Sequence, residues 1–155
     1  MAKKRTFREF KQGIFKPINK AKCLNKSDIV YRSGLESKLM MQLDKNSNVI
    51  SWSSEAVIIP YWKPGENRIA RYFVDFYAKL KIGDTVKEYL FEVKPHRQIS
   101  KPVANKNKKQ STILYENIQY AINTAKWKAA EEYCAKKGYK FLIITEKNIE
   151  TILGK

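Results

Sequence analysis

Four ionisable side chains, Asp75, Glu92, Lys94 and Glu36, stand where an ordinary sheet or helix has little use for them. Asp75 and Glu92 lie in two strand-like runs, RYFVDFYAKL (71–80) and TVKEYLFEVK (85–94), joined by Lys81-Ile82-Gly83-Asp84. A two-residue hairpin connection with Gly first has the type II′ pattern, so Gly83-Asp84 is read as the turn. With Ile82 facing Thr85, counting back along both strands sets Asp75 directly opposite Glu92. The Cβ atoms of such a pair are about 4.5–5.5 Å apart, and like charges there are destabilising. Lys94, two residues past Glu92, shares its face. A hard divalent cation held by the two carboxylates, with Lys94 beside it, would turn that repulsion into a site. The bland alternative is a solvent-facing strand edge. The neighbours argue against it, because both acids are set among large apolar residues (YFVDFY and YLFEV), where an acid is rarely buried unless paired or metal-bound.

The elements that must position these groups can be read outward from them. Ser33-Gly34-Leu35-Glu36 matches a capping box and opens a helix from Leu35 to about Leu43. Leu39, Met40 and Leu43 follow Glu36 at plus three, four and seven, so the acid shares the inward side. Two readings of Glu36 stand: a cap bonding back toward Ser33, or a third carboxylate for the metal. Ser53 to Tyr61 is expected as a strand, and Pro64-Gly65-Glu66-Asn67 as the turn into the central hairpin, giving three antiparallel strands. A long helix follows from about Thr112 to Lys137, with Ile113, Leu114, Ile118, Ala121, Ile122 and Ala125 as its inner stripe and Gly138 as its C-cap. Tyr139 to Thr145 reads as a buried strand, and a short helix is expected from about Glu146. The fold class is therefore α/β: a mixed sheet, an antiparallel three-stranded meander plus one further strand, flanked by helices.

Charge is concentrated in two places. Lys plus Arg number 31 against 15 acidic residues, a net charge of +16. Residues 1–26 hold nine cations and one anion, residues 93–109 six cations and no anion. The first segment, polar and carrying Gly13 and Pro17, is expected to be a basic arm with little regular structure; residues 27–155 form the folded domain. The second is a loop that begins at Lys94 and runs through Arg97, Lys101, Lys106, Lys108 and Lys109. A cation-rich loop leading out of a carboxylate site suits a polyanion, since phosphate contacts release counterions. Its other reading is a charge run that keeps a loop solvated. His96 could meet phosphate or simply start that loop.

Composition excludes several classes. With 155 residues and 43% hydrophobic content the chain has one domain with a real core. No apolar run approaches a membrane span and MAKKRTFREF lacks a secretory signal's apolar stretch, so a protein kept inside a cell, without a membrane partner, is expected. Cys23 and Cys134 show no metal-ligand spacing, and one histidine argues against zinc. No Gly-rich phosphate loop and no Ser/His/Asp set is present.

In order, helix with Glu36, strand with Asp75, Glu92-Val93-Lys94, helix and strand resemble the PD-(D/E)xK restriction-endonuclease-like nucleases. Val74 stands where that superfamily usually has Pro, a departure with no chemical consequence. The wording VYRSGLESKLMMQLD, VISWSSEAVIIPY, RYFVDFYAKL and FEVKP further resembles the head completion proteins of contractile-tailed bacteriophages, themselves similar to the TnsA endonuclease subunit of a cut-and-paste transposase. This resemblance spans roughly residues 29–150. It implies metal-binding carboxylates at Asp75 and Glu92, a helical acid at Glu36, a catalytic lysine at Lys94, and Mg2+ (with Mn2+ substituting) as cofactor. It also implies double-stranded DNA as substrate and Gln119 as an accessory polar residue; from the charge pattern, His96, Arg97, Lys101, Lys106, Lys108 and Lys109 are the expected DNA contacts. The implied role is DNA cleavage in head completion, in the host cytoplasm during assembly or at the head–neck region, with portal or neck proteins as partners. A transposon-end or restriction-type nuclease, and a non-catalytic basic protein of the head–neck region, are the alternatives.

Overall fold

The computed structural model describes residues 12–153. The elements are β1 (Gly13–Phe15), β2 (Ile29–Tyr31), α1 (Gly34–Lys45), β3 (Val49–Ser54), β4 (Ile58–Lys63), β5 (Arg68–Phe73), β6 (Phe76–Ile82), β7 (Thr85–Val93), α2 (Gln110–Lys137) and β8 (Lys140–Ile144). The main sheet has the order β3-β6-β7-β8; its first three strands are antiparallel and β8 joins parallel to β7. This is the mixed sheet of a restriction-endonuclease-like α/β fold.

The β6–β7 hairpin has the expected register, Ile82 facing Thr85, and Gly83 takes φ 60° as a type II′ turn requires. Alternation along it makes two unlike faces. Phe76, Ala78, Leu80, Phe91 and Val93 face α1, where Leu39, Met40 and Leu43 meet them with no solvent exposure. Each such side chain stabilises the fold by about 1.5–3 kcal/mol relative to exposure. Leu90 faces the other way, toward Ile122, Ala130 and Cys134 of α2.

The expected strand from Ser53 to Tyr61 is two strands. Glu55 has φ 53°, which ends β3, and β4 and β5 leave the main sheet to form their own antiparallel pair. The run RYFVDFYAKL breaks at the same level, between Phe73 and Phe76. Two backbone bonds, Glu55 N–H to the Asp75 carbonyl and Val74 N–H to the Val57 carbonyl, each 3.0 Å, join the two breaks. The inner side of the β4–β5 hairpin (Ile59, Tyr61, Tyr72) packs toward α2.

Three further expectations are corrected. The stripe proposed for α2 holds only from Ile122 onward: Leu114 and Ile118 are 62% and 44% exposed, because the first turns of this 28-residue helix face the loop after β7 instead of the sheet. Residues 146–153 form successive turns in place of a helix, although Ile149 and Leu153 still enter the core. The basic segment is not irregular throughout. Gly13–Phe15 pair with β2, Phe15 packs edge-on against Trp52, and Asp44 accepts the backbone N–H groups of Ile18 and Asn19 at 2.9 and 3.0 Å. Its first eleven residues lie outside the described structure.

Candidate active site

Asp75 and Glu92 come together at one end of the main sheet, on its α2 side. The ladder closes at Phe76–Phe91, one step short of the anticipated Asp75–Glu92 pair. Asp75 sits in the kink between β5 and β6, where its Oδ2 accepts the Val93 N–H at 2.8 Å. Glu92, paired with Ile143 of β8, is only 4% exposed. Its Oε2 accepts the Tyr72 hydroxyl, and its Oε1 lies 3.5 Å from Lys94 Nζ. Lys94 is itself fixed, its N–H bonding the Ile144 carbonyl at 2.9 Å.

The electrostatics follow from this crowding. Burial, then the charge of Glu92, pushes the Asp75 carboxyl well above the ordinary carboxylate range; Glu36 adds to this, while the Val93 N–H and Lys94 oppose it. Burial and the adjoining Glu92 push the Tyr72 phenol up as well, so it remains a hydrogen-bond donor at neutral pH.

Glu36 reaches the site differently from the sequence reading. Its N–H bonds Ser33 Oγ at 3.1 Å, the expected N-cap, but its carboxylate turns to the N–H of Arg32 at 2.9 Å rather than that of Ser33. α1 packs on the opposite face of the sheet from Glu92, so Glu36 is felt by Asp75 as charge without joining it. Among the described residues no three His, Cys, Asp or Glu side chains gather closely enough to hold a metal ion. The set of three carboxylates anticipated as ligands is therefore not assembled here; Asp75 and Glu92 are the pair the fold brings together.

Lys94 also opens onto a groove of about 790 Å³ between the loop after β7 and the first half of α2. Arg97, Lys101, Lys108 and Gln119 line it, with Tyr115 and Tyr120. Lys108 is bound there to Glu116 at 2.8 Å. His96, Lys106 and Lys109 are not in the lining. His96 opens a short 3-10 turn, its N–H bonding the Glu146 carboxylate at 3.0 Å. The sequence reading missed Tyr72. An unbroken strand would put it on the face opposite Asp75, and only the kink turns its ring to Glu92.

Two carboxylates and a lysine thus stand at one end of a mixed sheet of the restriction-endonuclease-like class, opening onto a basic groove. The chain belongs to the family described as TnsA-like endonuclease N terminal, which it matches over residues 46–146. It is also 35% identical, over 127 residues, to the head completion nuclease of Enterobacteria phage T4, a match covering 80% of this chain and 83% of that protein. Asp75, Glu92, Lys94 and Gln119 lie inside the family match; Glu36 precedes it.

Proposed function

We propose that this protein is a divalent-metal-dependent DNA endonuclease that acts in bacteriophage head completion, processing packaged DNA and preparing the head for tail joining. The observation that carries the chemistry is the mutually repelling pair of half-buried Asp75 and buried Glu92 beside Lys94 at the mouth of a basic groove. The donor set fits Mg2+ or Mn2+: it is all hard oxygen, and a cation between the carboxylates would relieve the repulsion that raises Asp75. Asp75 and Glu92 would hold the ion, with Glu36 contributing charge from the neighbouring helix end. Bound there, the ion would withdraw charge from the scissile phosphate and lower the pKa of a water.

The chain's own residues do the rest. Tyr72 and the Val93 N–H fix one oxygen of each carboxylate. Lys94, held by Glu92, is placed to orient the attacking water or to stabilise charge on the pentavalent phosphorus. Arg97, Lys101 and Lys108 would grip the phosphates beyond, with His96, Lys106 and Lys109 as further phosphate contacts and Gln119 as a polar contact from α2. The basic segment 1–26, whose residues from Gly13 onward pack on the domain, offers its cations to DNA or to a portal or neck protein, and the work is done in the host cytoplasm during assembly. The head-completion role draws on the name of the T4 relative.

The test is incubation of supercoiled and linear duplex DNA with the purified protein in Mg2+, Mn2+ or chelator. Cutting in either metal and none in chelator is expected. Equal cutting in chelator would overturn the metal reading, and no cutting with any metal, with or without neck proteins, the endonuclease reading.

Glu36 can be separated from its capping role. Glu36→Gln keeps an acceptor for the Arg32 N–H, so the melting temperature should stay within about 3 °C, a shift worth under roughly 1 kcal/mol in a chain of this size. Cleavage should fall at least tenfold, since charge near Asp75 is lost at nearly constant shape. Unchanged kcat with unchanged melting would reduce Glu36 to a cap.

A further inference from the structure

We propose that Lys126 is a further functional residue of this site, the contact that α2 offers to a substrate phosphate beside the Asp75–Glu92 pair; this rests on the endonuclease reading above. Its ammonium stands 5.5 Å from the centre of the Tyr72 ring and 5.9 Å from that of Tyr61. The Tyr72 hydroxyl in turn donates to Glu92. One aromatic ring thus separates this lysine from a candidate metal ligand.

The helix carries the same message. Gln119, Asn123 and Lys126 fall at i, i+4 and i+7, on one side of α2. The first two line the basic groove with Lys94. Lys126 is the next step along that stripe, so the wall that begins among Lys101 and Lys108 ends in a cation at the carboxylates. Its surroundings support a ligand rather than a packing role. Among the described residues no carboxylate forms an ion pair with it. Burial pushes its ammonium below the usual lysine range, and the charges of Glu92 and Asp75 oppose that while Lys94 and Lys63 add to it. Three charged groups of the site, Glu92, Asp75 and Lys94, thus act on it.

The chemistry is that of a held but unneutralised cation. Contact with the two tyrosine faces, worth about 0.5–2 kcal/mol, fixes the position of the ammonium. Its three N–H donors remain for phosphate oxygens. A packing role alone would use only the aliphatic stem. That distinction makes the test: Lys126→Met keeps the stem and removes the charge, whereas Lys126→Arg keeps the charge.

The experiment measures binding of wild type, Lys126→Met and Lys126→Arg to a short duplex by fluorescence anisotropy over a range of salt in chelator, then cleavage of that duplex in Mg2+. Lys126→Met is expected to reduce the slope of log K against log salt by about 0.9, the loss of one phosphate contact. Its kcat/KM should fall at least tenfold, with melting lowered by no more than about 8 °C through loss of the ring contacts, and Lys126→Arg should restore the slope. Wild-type slope and wild-type cleavage in Lys126→Met would overturn the proposal. Should Lys126→Met fail to fold, Lys126→Gln carries the same comparison. If wild type binds DNA but never cuts it, the endonuclease reading falls while the salt slope still decides whether Lys126 meets a phosphate.

Discussion

Asp75→Asn is expected to melt above wild type in metal-free buffer and to cut no DNA. The two results have one cause. Asp75 is held beside Glu92 in a site where burial and like charge both disfavour its ionised form. Asn removes the charge and keeps an oxygen for the Val93 N–H. The relief should raise the melting temperature by roughly 2–4 °C, equivalent to about 1 kcal/mol in a chain of this size. Cleavage should fall by about a thousandfold or more, because a metal's charge stabilisation is worth several kcal/mol and each 1.36 kcal/mol is a decade in rate.

The pH dependence has a defined sign. Between the ordinary carboxylate value and the raised value of Asp75, the folded protein holds a proton that the unfolded chain has released. Stability therefore falls as pH rises through that window, and the slope should be shallower in Asp75→Asn. Added Mg2+ should raise the melting temperature of wild type and leave that of the variant nearly unchanged. Thermal melts at several pH values with and without metal, alongside gel-based cleavage, check all of this. A variant that melts lower than wild type at neutral pH, or cuts at the wild-type rate, would sink the paired-carboxylate site.

The second large effect is on folding. Asp44 is 1% exposed at the end of α1, and its carboxylate takes the N–H groups of Ile18 and Asn19. Its carbonyl accepts Asn19 Nδ2 at 2.8 Å and Lys22 Nζ at 3.3 Å. Asp44→Ala keeps the backbone carbonyl but would strand the Ile18 and Asn19 N–H groups and loosen the segment that carries Phe15 and Cys23 onto Trp52. A loss of about 3–5 kcal/mol is expected, or roughly 10 °C in melting temperature. Deleting residues 1–26 should be at least as damaging, contrary to what the polar composition of that segment suggests. Urea melts that place Asp44→Ala within about 1 kcal/mol of wild type would show that the segment is not anchored this way.

Local chemistry determines the features that the amino-acid sequence carries by itself. Gly83-Asp84 sets the register of the central hairpin because a two-residue turn leaves little choice, and that register brings Asp75, Glu92 and Lys94 to one end of one face. Ser33 and Gly138 mark helix ends by cap geometry that depends only on neighbouring residues. Long-range packing decided the rest. Tyr72 meets Glu92 because strands β3 and β5 break together at Glu55 and Asp75, a kink made by bonds between chain segments about twenty residues apart. Glu36 lies toward the core as its spacing implies, yet α1 covers the other face of the sheet, so it bonds Arg32 and acts on Asp75 only through charge. The apolar residues at the start of α2 have helical spacing but no sheet beneath them, since β8 turns back beneath the helix's second half. Residues 13–26 look like a solvated arm by composition; pairing with β2, Phe15 on Trp52 and the buried carboxylate of Asp44 tie them down, and whether a carboxylate is buried is settled by the partners that surround it in space.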